Sequence, residues 1–258
     1  MTGPRPHPLP AADLQETWLR RPRPVASPRA RLICFPHAGG AASFFRDWPR
    51  LLPADVEVQA VCYPGREDRI MEDCAEDLDE LADRVTEALA PLLDRPVVLF
   101  GHSMGASVAH EVALRIERRY GPVLGGLVVS SRTAPAYPGG RKVSPEDDEA
   151  LLRDVAELGG TFAAALDIPE LRELMLPVIR ADYRMLDAYR PGELPRLAAP
   201  VVGYIGDGDP QVTAESMGPW AESTTGGFTL SVLPGDHFYL IPEVQRLAGE
   251  LTKLLAAV

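Results

Sequence analysis

Short apolar bursts alternate with longer amphipathic stretches along most of this chain, and that alternation leaves few folds open. "RLICF" (31–35), "VEVQAVCY" (56–63), "PVVLF" (96–100), "GLVVSS" (126–131), "APVVGYIG" (199–206) and "FTLSVLPG" (228–235) have the length and β-branched content of strands. Between them, residues 76–93 carry apolar side chains at 78, 81, 85, 89 and 92, a helical spacing, and 104–120 and 243–257 read the same way. Residues 42–48, after a pair of glycines, suit a short helix. Strands too apolar to face water, each followed by a helix, predict an α/β fold. Its central sheet is mostly parallel and is flanked by helices on both faces.

Two stretches break the rhythm. Residues 1–28 are interrupted repeatedly by proline and read as an irregular N-terminal arm, with a scrap of helix around 13–19 that includes Trp18. Residues 132–195 hold helical patterns and no convincing strand, which predicts a helical lid inserted in a single domain over 29–258. Ser144 is the expected N-cap of its first helix, with Pro145 at the first helical position. A second helix is expected over 169–189, bent near Pro177.

Composition narrows the function classes. The formal net charge of −11 leaves no basic surface to neutralise phosphates, so nucleic acid is not an expected partner. Six arginines against Asp13 and Glu16 in residues 1–31 make the remainder more acidic still. Three cysteines, Cys34, Cys62 and Cys74, form no CxxC pair, which suits reduced thiols; Cys34 and Cys62 sit in strand-like runs and read as core residues. There is no secretory h-region and no run long enough to span a bilayer, so a cytoplasmic monomer away from membranes is expected. No metal-ligand spacing, P-loop or dinucleotide fingerprint stands out, so neither a metal nor a cofactor is expected.

The chemistry gathers at "GHSMG" (101–105), a G-x-S-x-G between a predicted strand and a predicted helix. In so tight a junction the flanking glycines relieve crowding while Ser103 is pushed outward as a nucleophile. A serine hydroxyl needs a base, and the base needs an orienting carboxylate. His237, in "LPGDHFYL", is the histidine that follows Ser103 in a loop after a late strand. His110 falls within the helix after the serine, His102 is part of the turn, His37 precedes the serine and His7 lies in the arm. For the acid, "YIGDGDPQV" (204–212) offers Asp207 and Asp209, and Asp236 is a third candidate; spacing does not choose among them. An oxyanion formed at Ser103 would be held by the backbone N–H of Met104 and by one from "CFPHAGGAASFF" (34–45), with Ala38 the expected donor and Gly39 the alternative.

These segments together resemble the free-standing type II thioesterases that accompany modular polyketide and nonribosomal peptide synthases, an α/β-hydrolase family. The resemblance runs over about residues 30–255. It rests on "CFPHAGGAASFF", "YPGREDR" (63–69), "GHSMGA", "LGGT" (158–161), "LPVIRADYRMLDAY" (176–189), "GDGDP" (206–210) and "PGDHFYL" (234–240), in that order. The family pattern places the acid at the aspartate before proline, which selects Asp209. The resemblance implies a thioesterase that clears aberrant or stalled acyl groups from the phosphopantetheine arm of acyl or peptidyl carrier proteins. A general carboxylesterase or lipase would use the same three residues. A product-releasing thioesterase is a second alternative, and a non-catalytic interaction module a third.

Overall fold

A computed structural model describes residues 11–258 apart from 136, 138–142, 144, 160–165 and 192–194. Seven strands form one sheet: β1 (Leu19–Arg20), β2 (Ala30–Phe35), β3 (Val56–Val61), β4 (Val97–His102), β5 (Leu124–Ser130), β6 (Val201–Gly206) and β7 (Phe228–Leu233). Their spatial order is β1-β3-β2-β4-β5-β6-β7. Every neighbouring pair is parallel except β1 with β3. Among the described residues the helices are α1 (Ala11–Trp18), α2 (Leu78–Leu89), α3 (Met104–Tyr120), α4 (Asp148–Leu158), α5 (Pro169–Ala188), α6 (Ala214–Met217) and α7 (Val244–Ala256).

The strands are continuously apolar because both faces of the sheet are covered. Ile33, Phe35, Leu99, Leu127 and Val129 point to the face packed by α2 and α3. Their neighbours Leu32, Cys34, Val98, Phe100 and Val128 point to the opposite face, against Phe45, Trp48 and the Leu247, Leu251 and Leu255 stripe of α7. That strict exchange of faces at each residue is the period-2 geometry of a strand. The expected 104–120 helix has those bounds, and the 76–93 segment forms α2, with Asp77 as N-cap, followed by a 3-10 turn. The short helix expected after the glycines is a pair of 3-10 turns, Ala42–Phe45 and Trp48–Arg50.

The scrap of helix expected around 13–19 is Ala11–Trp18, and after it, within the arm read as irregular, Leu19–Arg20 adds an unexpected antiparallel edge to β3. Burial of Trp18, with the Arg69 guanidinium 4.2 Å over its ring, holds that segment to the body. In the insertion between β5 and β6, the first helix starts at Asp148 rather than Pro145. Its N-cap is Asp147, whose carboxylate accepts from the Ala150 N–H at 3.0 Å; Ser144 lies outside the described residues. The second helix, α5, runs through Pro177 without interruption. Among the described residues, no helix is long and apolar enough to cross a membrane.

Candidate active site

Ser103 sits where β4 ends and α3 begins, with φ 53° and ψ −120°. A non-glycine residue in that region is strained by about 1–3 kcal/mol and persists only where its surroundings force it. The forcing comes from both sides. A Cβ on Gly101 would lie 2.3 Å from the Gly105 carbonyl oxygen, and one on Gly105 would lie 2.1 Å from the carbonyl oxygen of Phe35. Both obstacles are backbone. The Gly105→Ala variant is therefore expected to lose about 3 kcal/mol of stability, a Tm fall of roughly 6–12 °C for a chain this long. A thermal melt checks it; an unchanged Tm would mean the turn opens freely.

The Ser103 amide donates to the Ser130 carbonyl at 2.8 Å, which fixes the start of the turn. In the first turn of α3 the Ala106 N–H donates to the Ser103 carbonyl at 3.0 Å, and Met104 and Gly105 before it stand at the positive end of the helix dipole. On the neighbouring loop, the Gly39 N–H donates to Asp182 Oδ2 at 2.7 Å and the Gly40 N–H donates to the His37 carbonyl at 2.9 Å. The Gly39 N–H is thereby committed to Asp182, and Ala38 stays the candidate donor on this loop.

His237 Nδ1 and Asp209 Oδ2 are 2.8 Å apart, with both side chains removed from solvent. The ring lies 5.1 Å, centroid to centroid, from that of His102, the residue before Ser103. Its Nε2 is buried and has no hydrogen-bond partner among the described residues. Asp209 Oδ1 accepts from the backbone N–H groups of Gln211 (3.0 Å) and Val212 (3.1 Å). Burial raises the pKa of this carboxyl, but the hydrogen bond and charge of His237 and the Gln211 amide outweigh it and hold it below the usual carboxylate value. The other two acids do different work. Exposed Asp207 accepts from the Gly235 N–H at 3.0 Å, and Asp236 from the Phe238 N–H at 2.8 Å. The Asp236 contact is a local turn bond, whereas that of Asp207 ties the loop after β6 to the loop after β7.

The remaining described histidines are packed groups. His110 is buried edge-on to Trp220, and burial lowers its pKa to about 4. His102 Nδ1 is 2.9 Å from Ser130 Oγ, itself 2.6 Å from the Tyr239 hydroxyl; no carboxylate takes part. His37 packs edge-on against Phe44, Phe238 and His102. Burial first, then His237 and Arg66, push His37 down to about 3, so it stays neutral. A neutral ring there leaves that wall uncharged. Cys62, Glu67 and Asp68 bring possible ligand atoms within 4.8 Å of one another. Burial pushes the Cys62 thiol up to about 12, and Asp68 is engaged by Arg20.

Sequence reasoning passed over two buried carboxylates on the insertion. Asp154 of α4 accepts from the Tyr183 hydroxyl (2.7 Å) and from Gln211 Nε2 (2.8 Å), tying α4 and α5 to the loop that carries Asp209. Asp182 of α5 faces the oxyanion loop and Arg66. Two cavities flank α5. One of about 610 Å³ is bordered by Ser107, Arg132 and Tyr189. The other, about 440 Å³, runs from Gly39 and Gly40 past Phe44 to Ile70, Leu174 and Met175.

The thioesterase-domain family model matches residues 30–255. The chain belongs to the thioesterase family. The thioesterase is 39% identical over 246 residues to the probable cadicidin biosynthesis thioesterase of Streptomyces griseus, a match covering 95% of this chain and 68% of that one. It is also 39% identical over 236 residues to thioesterase PikA5 of Streptomyces venezuelae, covering 91% and 84%. Among solved structures, the type II thioesterase BorB from the borrelidin biosynthetic cluster superposes with a TM-score of 0.82 at 38% identity, covering 93% of this chain and 97% of that one. The α/β fold expected from the alternation of strands and helices is borne out, and the α/β-hydrolase fold that the resemblance implied is that of the structural relatives.

Proposed function

We propose that this thioesterase hydrolyses acyl groups from the phosphopantetheine arm of carrier proteins, with Ser103 as nucleophile, His237 as base and Asp209 as its orienting acid. The observation that carries the reading is the buried Asp209–His237 pair at 2.8 Å beside a strained serine turn. His237 Nε2 takes the Ser103 proton as Oγ attacks the thioester carbonyl, and the oxyanion is held by the Met104 and Ala38 amides. The C–S bond then breaks, and the proton on His237 goes to the departing sulfur. A thiol with a pKa near about 8.5 leaves far more easily than an alkoxide. Water, deprotonated by the same nitrogen, cleaves the acyl-enzyme and returns the proton to Ser103.

The substrate class is supported by the relatives, one named for cadicidin biosynthesis and one titled a type II thioesterase from the borrelidin biosynthetic cluster. In that setting the enzyme acts as an editor, removing stalled or aberrant acyl groups. The helices α4 and α5 serve as the lid, and the groove lined by Phe44, Leu174 and Met175 has the apolar character an acyl chain needs. Arg46 borders both that groove and a neighbouring surface cavity of mixed charge, where Arg20 pairs with Asp68 and Glu67 also lies.

The test compares release of a short acyl group from a carrier protein with hydrolysis of the same acyl group as a simple alkyl ester. The expected result is a kcat/KM at least about 100-fold higher for the carrier thioester. Equal or better turnover of the alkyl ester would make the chain a general esterase and remove the carrier from the account.

A further inference from the structure

Asp182 and Arg66 form a fork-to-fork ion pair in the interior: Arg66 Nη2 donates to Oδ1 and Nη1 to Oδ2, both at 2.9 Å. Side-chain exposure is 6% for Arg66 and 1% for Asp182, so water screens neither. A buried pair of this kind gains little net stability over a well-packed apolar pair, because desolvating two charges offsets their attraction. Its contacts suggest a different use.

Each partner spends its remaining valence on the oxyanion loop. Asp182 Oδ2 also accepts the Gly39 N–H at 2.7 Å, and Arg66 Nη1 also donates to the Gly40 carbonyl at 3.0 Å. The peptide joining Ala38 to Gly39 is therefore aimed by a side chain of α5. The peptide before it, which carries the Ala38 N–H, is aimed by the turn bond from the Gly40 N–H to the His37 carbonyl. A trans peptide points its N–H opposite to its C=O, so holding the His37 carbonyl and the Gly39 N–H sets the direction of the Ala38 N–H between them. Tyr63, under the Arg66 guanidinium at 5.2 Å, adds a third tie by donating from its hydroxyl to the Pro36 carbonyl at 3.4 Å.

We propose that Arg66 and Asp182 are positioning residues that make the oxyanion donor at Ala38 conditional on the seating of α5. This rests on the assignment of Ser103 as nucleophile and Ala38 as donor. With α5 seated, Asp182 completes its bonds to Arg66 and Gly39 and the Ala38 N–H faces the carbonyl oxygen of the reacting group. With α5 displaced, a carboxylate leaves, Arg66 loses its partner, and the loop peptide is free to turn. The serine, the histidine and the acid remain in place, but the developing negative charge loses one of its two donors. Hydrolysis is thereby tied to the presence of a substrate that lets α5 close over it.

Two variants test this. Asp182→Asn keeps an oxygen for the Gly39 N–H but turns an N–H₂ group toward Arg66; Arg66→Lys keeps the charge and loses the fork. Each is assayed for kcat on an acyl N-acetylcysteamine thioester and for inhibition by an alkyl boronic acid, whose tetrahedral adduct places an oxygen in the oxyanion site. Ground-state affinity for the same thioester is measured in a Ser103→Ala background. The expected result is a kcat fall of about 10- to 100-fold, a fraction of what loss of a whole oxyanion donor costs, with boronate affinity falling by the same factor and ground-state affinity holding within about threefold. A kcat within threefold of the parent in both variants overturns the proposal. So does a parallel loss of ground-state and boronate affinity, which marks a merely structural pair. Hydrogen exchange on the unmutated enzyme covers the case in which a variant does not fold: the Gly39 amide is expected to exchange together with the α5 amides, and independent exchange overturns the coupling. The thioester surrogate and the boronate probe the serine site whatever acyl donor serves in the cell. Failure of the carrier reading would therefore leave this test standing.

Discussion

Ser103→Ala is expected to lower kcat by about 10⁵- to 10⁶-fold on any acyl substrate while leaving carrier affinity and Tm near their parent values. The size follows from what is removed. Without Oγ no acyl-enzyme forms, and only the Met104 and Ala38 amides and substrate positioning remain to help water attack directly. The fold should not suffer, because the turn is shaped by Gly101 and Gly105 rather than by the hydroxyl. A companion variant separates strain from chemistry. Ser103→Gly removes the nucleophile as completely but also relieves a backbone at φ 53° and ψ −120°, so it is expected to melt higher than Ser103→Ala, by about 1 kcal/mol. Steady-state hydrolysis and a melt of both proteins decide it. Residual activity above about 1% in Ser103→Ala would move the nucleophile elsewhere.

Why the serine could be read from the sequence, and Asp182 could not, comes down to the range of the forces involved. The Ser103 turn is local: strand, glycine, serine, glycine and helix follow one another, so five residues and their flanks carry the signal. The strands were legible for a similar reason. Burial on both faces makes each a continuous apolar run, as in Ala30–Phe35 and Val97–His102. Asp182 looks like any acid on an amphipathic helix, and the partner that buries it, Arg66, is 116 residues away. Asp154 is hidden in the same way, since its role depends on Tyr183 of α5 and Gln211 of the loop after β6 meeting it. β1 is two residues long and carries no periodicity at all; it exists because β3 offers it a free edge. The start of α4 was misplaced because Ser144, Asp147 and Asp148 are all acceptable caps, and the choice depends on which residues the body can seat.

The acid is the site residue on which local sequence was silent, and the structure supplies the asymmetry that makes it testable. Asp209→Asn is expected to lower kcat by about 10⁴-fold with little change in KM or Tm, as loss of the orienting carboxylate does when the geometry survives. Survival of the geometry is what makes the loss so large. Oδ1 of Asp209 accepts two backbone N–H groups, from Gln211 and Val212, so the introduced amide must keep its oxygen there. Its N–H₂ is then turned toward His237 Nδ1, where Oδ2 now sits at 2.8 Å. Two donors cannot face each other, so the ring proton moves to Nε2, the nitrogen that must be bare to accept the Ser103 proton. The carboxylate accepts a proton on Nδ1; the amide forbids it. Asp207→Asn meets no such constraint, because the Asp207 carboxylate only accepts the Gly235 N–H at the surface, and an amide oxygen does that equally well. It is expected to keep kcat within about threefold. If the two variants exchanged these behaviours, the acid would be Asp207 and the 2.8 Å pair a structural one. If both kept their activity, the imidazole would be oriented without a carboxylate, and the hydrolysis would have to be assigned to a different base.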